Sequence, residues 1–151
     1  MTDRARLLVA MVTLVGGTVS AQPAASTPPS GLKPGSWEIS TVVESSDTLT
    51  QKTVTSRVCY SPDDVASPSR VLPPQRGLGV QCLASDVQFG GETGIAWKLT
   101  CKGKEGALNG NGAMKPGPTA YSAEVRLERK AGSKVMKIDE KTKGRWIGEC
   151  P

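Results

Sequence analysis

Histidine is absent from this chain of 151 residues, and no Cys-x-x-Cys motif occurs among its four cysteines. The first absence excludes Ser-His and Cys-His nucleophile pairs and removes the commonest nitrogen ligand of zinc. The second gives no support for a thioredoxin-like redox centre or a zinc ribbon. No spacing of serine, lysine or paired carboxylates indicates histidine-free catalysis. The sequence therefore predicts a protein that is not an enzyme and that has no metal or cofactor.

Aromatic residues and long apolar runs are also scarce. Three Trp, two Tyr and one Phe are all the aromatic side chains available to a core. No apolar run approaches the ~20 residues that a membrane-spanning helix needs. Lysine and arginine are scattered singly, for a net charge of +5, and no basic run interleaves with aromatics. Nucleic-acid binding is therefore not expected.

The N-terminus has the features of an export signal. Two arginines precede a short apolar run at residues 7–17, and Val-Ser-Ala at residues 19–21 supplies the small side chains of a cleavage site. We expect cleavage after Ala21, so residues 1–21 form a signal peptide and the mature chain does not span a membrane. A periplasmic or secreted bacterial protein follows. In such an oxidising compartment, four cysteines predict two disulfides.

The remaining chain predicts one β domain. Residues 22–34 are rich in Pro, Ser and Ala and are expected to be a disordered lead-in. From residue 35 to residue 151, period-two alternation of apolar and polar residues dominates, as in half-buried strands. The alternating runs after the first lie at residues 51–60, 82–89, 95–102, 107–114, 119–129, 135–141 and 144–150. The prediction is an all-β antiparallel meander of seven to eight strands, as a strongly curled sheet or a small lipocalin-like barrel.

One short helix is predicted after the second strand. Ser61 suits the N-cap, Pro62 the first helical position, and two aspartates the positive end of the helix dipole. The pair Asp63 and Asp64 also has the composition of a catalytic or calcium-binding pair. Adjacent side chains do not face each other on a helix, which favours capping.

The cysteine pairing depends on the register of a hairpin over residues 82–101. If Cys82 pairs directly with Cys101, apolar and polar side chains share faces. A shift of one residue sets Val87 opposite Trp97 and turns the two cysteines to opposite faces, because a one-residue slip flips a whole strand. Only a bulge inside the paired strands would then allow the bridge.

We therefore predict Cys59–Cys82 and Cys101–Cys150, out of three connectivities. Cys59 ends one strand and Cys82 begins the next, and both lie on polar faces. Cys101 and Cys150 each share the parity of a tryptophan.

Five motifs in order resemble a known family. They are Pro-Gly-x-Trp-Glu at 34–38, Val-Cys-x-Ser-Pro-Asp-Asp at 58–64, the cysteine at 82, Trp-x-x-x-Cys at 97–101 and Gly-x-Cys at 148–150. The set is similar to the exported bacterial proteins grouped as domain of unknown function 3617. The resemblance implies a secreted or periplasmic β-rich domain and brings no catalytic residues.

A second resemblance concerns Gly35-Ser36-Trp37. Lipocalin-like barrels open their first strand with Gly-x-Trp, and an arginine of the last strand covers that tryptophan. Arg145 is the candidate here, through a cation–π contact. The alternative is that Trp37 is an ordinary core aromatic at one end of the sheet, and the sequence favours it.

Two functions remain after the enzyme is set aside. The first is a binding module for a small or apolar ligand inside the sheet, lined by Trp37 and Trp97. Gly110 and Gly112 fall on the inward parity and suggest empty space, although such glycines also allow curvature or close backbone packing.

The second function is an envelope-associated structural or protein-interaction domain. A basic outer surface and the loop over residues 60–81 would meet an anionic surface or a protein partner. Arg70 and Arg76 flank the prolines of that loop and are the candidate contact residues.

Overall fold

The computed structural model describes residues 30–47, 51–74, 81–90, 94–103 and 106–151. The predicted signal peptide and residues 22–29 of the predicted lead-in lie outside them. The elements, in chain order, are β1 (Gly35–Ser45), β2 (Gln51–Tyr60), α1 (Pro62–Val65), a 3-10 turn (Pro68–Arg70), β3 (Gln81–Phe89), β4 (Ile95–Gly103), β5 (Gly106–Lys115), β6 (Ala120–Ala131) and β7 (Lys134–Gly148).

The seven strands form one antiparallel sheet in the order β2-β1-β7-β6-β5-β4-β3. The predicted all-β meander with one short helix is confirmed, and the runs at 135–141 and 144–150 belong to one long strand. The sheet is neither closed nor strongly curled, so the expected barrel is not confirmed. In the described part of the chain no ladder joins the edge strands β2 and β3. The connection between them contains Pro73 and Pro74, which cannot donate to a ladder.

One face of the sheet, here called the inner face, carries the core. Alternation puts Trp37 and Ile39 of β1 on this face, together with the buried side chains of β4 to β7. The segment before β1 packs there too: Leu32 is fully buried, and the Ser30 amide donates to the Val65 carbonyl. Ser30 and Leu32, which lie in the predicted lead-in, are therefore packed against the domain.

Helix α1 has the capping that the sequence predicts. The Ser61 hydroxyl accepts from the Asp64 amide, and the Asp64 carboxylate accepts from the Ser61 amide at 2.9 Å. The Ser61 hydroxyl also donates to the Asp64 carboxylate at 2.7 Å, and this hydrogen bond, followed by that from the Ser61 amide, holds the pKa of Asp64 below its ordinary value. The carboxylate pair at residues 63 and 64 is thus explained by the start of the helix. No helix of the described residues is long and apolar enough to cross a membrane.

The predicted disulfide pairing is wrong. The bridges are Cys82–Cys101 and Cys59–Cys150. Near the turn of the β3–β4 hairpin, Phe89 pairs with Ile95, as the shifted register requires. Between Ser85 and Gln88 the register changes by one residue, and beyond this bulge Cys82 lies directly opposite Cys101.

Asp86 forms this bulge. It is the one described non-glycine residue with positive φ, at 50°, a conformation that Asp tolerates better than most residues. Its carboxylate binds the Lys98 ammonium at 2.8 Å, and this hydrogen bond raises the pKa of Lys98. The bulge also reverses the predicted face of Leu83, whose side chain is 74% exposed.

The second bridge joins the C-terminus to the edge of the sheet. Cys59 of β2 pairs with Ser36 of β1, and Ser36 pairs with Gly148 at the end of β7. Cys150 therefore has to pass only one strand end to reach Cys59, with 5.6 Å between their Cα atoms. The bridge fixes the last residues of the chain across β1.

Candidate functional site

The aromatic residues predicted to bind a ligand are packed in the core. Trp37 is fully buried, and its indole N–H donates to the Lys33 carbonyl at 3.0 Å. Its ring lies 5.6 Å from Tyr121 and 6.4 Å from Tyr60, both tilted. Trp97 is 2% exposed. The interpretation of Trp37 as a core aromatic is confirmed.

The two inward glycines make room for protein rather than for a ligand. A Cβ at Gly112 would overlap the Trp97 indole, which fills the space above that residue. A Cβ at Gly110 would overlap the Arg126 carbonyl and lie 2.9 Å from the Leu127 Cα. Close packing is therefore the reason for both glycines. On this face a hollow of about 310 Å³ lies between the loop residues 72–74 and the β4 residues Trp97 and Leu99.

Arg145 does not cover Trp37, contrary to the lipocalin-like expectation. It points to the opposite face, here called the outer face, and binds the Glu38 carboxylate at 2.9 Å. A cation lies over a different tryptophan: the Lys33 Nζ is 3.7 Å from the centroid of the Trp146 ring. Arg145 and Trp146 are consecutive residues of β7, so their side chains lie on opposite faces of the sheet.

The candidate contacts of the 60–81 loop are only partly described. Arg70 is exposed, and its guanidinium lies 3.8 Å from the carboxylate of Asp64, with which it forms an ion pair at α1. Arg76 lies outside the described residues. Among the described residues, Arg70 is thus engaged by Asp64 and does not line the hollows of the outer face.

A broad concave surface lies on the outer face. Two adjoining hollows of about 700 and 610 Å³, here called the outer groove, run across β1, β7, β6 and β5. With Lys141 and Glu124 in register between Val42 and Ala113, its floor is formed by the short side chains Ser40, Val42 and Ala113. Because they are short, the longer side chains around them become walls.

A row of residues in mutual register lies at the centre of the outer groove. Lys115 of β5 pairs with Ser122 of β6, Ser122 with Lys143 of β7, and Lys143 with Ser40 of β1. All four line both hollows. Neighbouring strands are ~4.8 Å apart, so the two lysines flank Ser122 within reach of one small group.

The acidic side chains of the outer groove already have partners. Glu38 binds Arg145 and, at 3.8 Å, Arg57. Glu44 accepts from the Gln51 amide at 2.7 Å, and Glu124 lies 3.5 Å from Arg126. Each carboxylate is thus engaged by a neighbouring group, and the centre of the groove is left with a positive charge.

Some of the described surface lysines are held in ion pairs and others are not. Lys33, Lys98 and Lys137 each have a carboxylate partner. Within the described ranges, Lys115 and Lys143 have no ion pair, and neither has Lys141, which also lines the groove. In the same ranges Lys52, Lys102, Lys130 and Lys134 have none either, so it is the position in the groove that distinguishes the central lysines.

An acidic residue on the inner face escaped the sequence analysis. Glu140 is 2% exposed, and its Oε1 has no hydrogen-bond partner among the described residues. Burial raises its pKa to about 7. Two residues further along β7, the Thr142 hydroxyl forms a buried hydrogen bond of 2.9 Å with the Thr41 hydroxyl. The described residues contain no cluster of acidic or cysteine side chains able to hold a metal ion.

The structure places the motifs noted in the sequence, namely the four cysteines, the Gly-Ser-Trp start of β1 and the Ser-capped helix α1, in one domain. The family described as "Protein of unknown function (DUF3617)" matches residues 32–150. The chain belongs to this family. The match begins at the buried Leu32 and ends at the bridging Cys150, so membership covers the sheet, both disulfides and the outer groove. Searches of the curated proteins and of the solved structures gave no match.

The central row of the groove could not be found from sequence spacing alone. Lys115, Ser122 and Lys143 come from three strands, and the sequence shows only that each has outward parity. Their meeting depends on the registers β5–β6 and β6–β7. Two lysines flanking a serine across three strands can donate several hydrogen bonds to one anionic oxygen group.

Proposed function

We propose that the protein is an exported, non-catalytic binding module that holds a small ligand with an apolar portion in the outer groove. The observation that carries this proposal is the larger hollow of about 700 Å³, which falls within the usual ~300–1,000 Å³ of small-molecule sites. It is more than twice the hollow of about 310 Å³ on the inner face.

The lining of the groove suits such a ligand. Val42 and Ala113 give apolar contact at the floor, and the aliphatic stems of the groove lysines add more. Serine hydroxyls at the centre orient a polar group. Four neighbouring strands support this floor, and a rigid sheet holds binding groups better than a loop.

Native mass spectrometry of the protein purified from its own host tests the proposal. A retained small-molecule mass on the wild type supports it, provided that Ala113→Phe removes this mass and Ala107→Phe does not. Both alanines are exposed on β5, and Ala107 does not line the groove. A wild-type protein that carries no small molecule, or a ligand kept by Ala113→Phe, contradicts the proposal.

A protein-interaction role is the second candidate, and edge strand β3 favours it. Leu83 is 74% exposed and Phe89 is 52% exposed, the two highest values among the large apolar side chains of the described residues. An edge strand offers unpaired backbone groups to a partner strand. The bulge at Asp86 opposes this role, because bulges interrupt edge pairing.

Leu83→Lys and Phe89→Lys separate the two functions. The groove function is supported if both variants retain the ligand and elute from a size-exclusion column at the same volume as the wild type. Loss of a co-purifying protein in these variants, with no small-molecule mass on the wild type, supports the interaction role.

A further inference from the structure

The charge at the centre of the outer groove indicates which chemical group the ligand carries. We infer that Lys115, Ser122 and Lys143 bind an anionic oxygen group, a phosphate, sulfate or carboxylate, at one end of the ligand. This inference rests on the proposed groove function and names the polar end of its ligand.

The geometry of the row is the first support. Lys115 and Lys143 each pair directly with Ser122, from opposite sides. Two ammonium groups and one hydroxyl therefore converge on a volume two strand spacings wide, ~9–10 Å between the lysine Cα atoms. An ammonium group has three donors and no acceptor, so the row favours an acceptor-rich ligand group.

The electrostatics of the groove are the second support. The three carboxylates that line it, Glu38, Glu44 and Glu124, are held by an arginine or a glutamine amide. Within the part of the chain that the structure describes, neither central lysine has an ion pair. An anion bound here would therefore meet two ammonium groups that no carboxylate of the described residues neutralises. It would bind more strongly than an anion that has to compete with a carboxylate for the same lysine.

The position of the row is the third support. All of its residues line both hollows, so an anionic group there leaves Val42 and Ala113, on either side of Lys141 and Glu124, free to contact an attached chain. The surface at Lys102 and Lys130 provides the contrast. Lys102 pairs directly with the exposed Ala107, Lys130 is exposed near the end of β6, and neither lines the outer groove.

Amide chemical-shift titration of the purified protein tests the inference with three probes, namely octyl phosphate, 1-octanol and inorganic phosphate. We expect octyl phosphate to bind best and to shift outward-facing residues of β1, β5, β6 and β7. Lys115→Gln combined with Lys143→Gln should weaken it about tenfold or more, since charge-assisted hydrogen bonds are lost. The control Lys102→Gln with Lys130→Gln removes the same charge and should change affinity less than about twofold. The spectra report whether each variant is folded.

The three probes separate the failures. Equal binding of 1-octanol and octyl phosphate in the groove, unchanged by the lysine variant, overturns the anionic end and leaves the groove function standing. Binding by no probe overturns the inference, and a wild type without ligand in native mass spectrometry then removes the groove function as well. Inorganic phosphate binding as tightly as octyl phosphate identifies a free anion, rather than a lipid-like headgroup, as the source of the anionic group.

Discussion

Cys82 lies directly opposite Cys101 because Asp86 adds one residue to β3 between the turn and the bridge. Without this bulge the apolar pairing near the turn and the bridge at the far end exclude each other. Non-reducing peptide mapping should find the 82–101 and 59–150 linkages. A peptide that joins Cys59 to Cys82 would contradict the observed sheet register.

The backbone conformation of Asp86 should make its substitutions unequal. A β-branched residue disfavours positive φ, so Asp86→Val should lower the free energy of unfolding by about 1–3 kcal/mol. Asp86→Asn keeps the tolerated conformation and loses the exposed contact with Lys98, so its cost should stay below about 1 kcal/mol. Urea denaturation measures both, and equal losses would show that the bulge carries no strain.

The two disulfides should contribute unequally to stability. Their sequence separations are 91 for Cys59–Cys150 and 19 for Cys82–Cys101. In the chain-entropy account the longer loop is worth ~4–5 kcal/mol and the shorter one ~3 kcal/mol. Paired serine substitutions, compared by thermal unfolding, should therefore cost more at residues 59 and 150. The reverse order would count against this account.

Glu140 should make the protein less stable as the pH rises. Its folded pKa of about 7 lies above the ordinary 4.5, so the unfolded chain loses its proton first. The free energy of unfolding should fall between about pH 4.5 and 7, by up to ~3 kcal/mol from this group, since each unit of pKa is worth ~1.4 kcal/mol.

Denaturation at several pH values compares the wild type with Glu140→Gln. The variant should lose most of this decline, whereas Glu128→Gln, at an exposed carboxylate beside Lys137, should keep it. A slope that is the same in all three proteins would show that Glu140 titrates normally.

Gly112 should not accept a methyl group. Its Cβ position is occupied by the Trp97 indole, so Gly112→Ala should cost about 1–3 kcal/mol through overpacking. Asn111→Ala, at the exposed neighbouring position, should change stability by less than about 0.5 kcal/mol. A neutral Gly112→Ala would mean that the inner face has the spare room first expected beside this glycine.

Local patterns in the sequence were enough to predict the strands and the helix cap. Alternation gives the buried face of β1, and Ser61 followed three residues later by Asp64 gives the start of α1, because both depend on neighbours in the chain. The disulfide pairing depended on a single bulge at Asp86. An aspartate in an alternating strand is not a sequence signal for a bulge, so the pairing could not be predicted. The outer groove was not predictable, since its walls meet only when β1 pairs with β7, more than 90 residues away in the chain.

The site residues separate along the same lines. Trp37 and Trp97 were correctly assigned to the inward face, but burial of both leaves them as core. Arg145 was assigned to that face and lies on the other. The lysines at 115 and 143 have the same local pattern as those at 102 and 130, and only the register distinguishes the groove from the plain surface.

Intermolecular nuclear Overhauser effects from the alkyl protons of octyl phosphate test the central claim, that the ligand lies on the outer face, most directly. The account predicts contacts to the methyl groups of Val42 and Ala113. Contacts to the Trp97 indole and the Leu99 methyl groups would instead place the chain in the inner hollow, and would contradict the outer groove as the binding site.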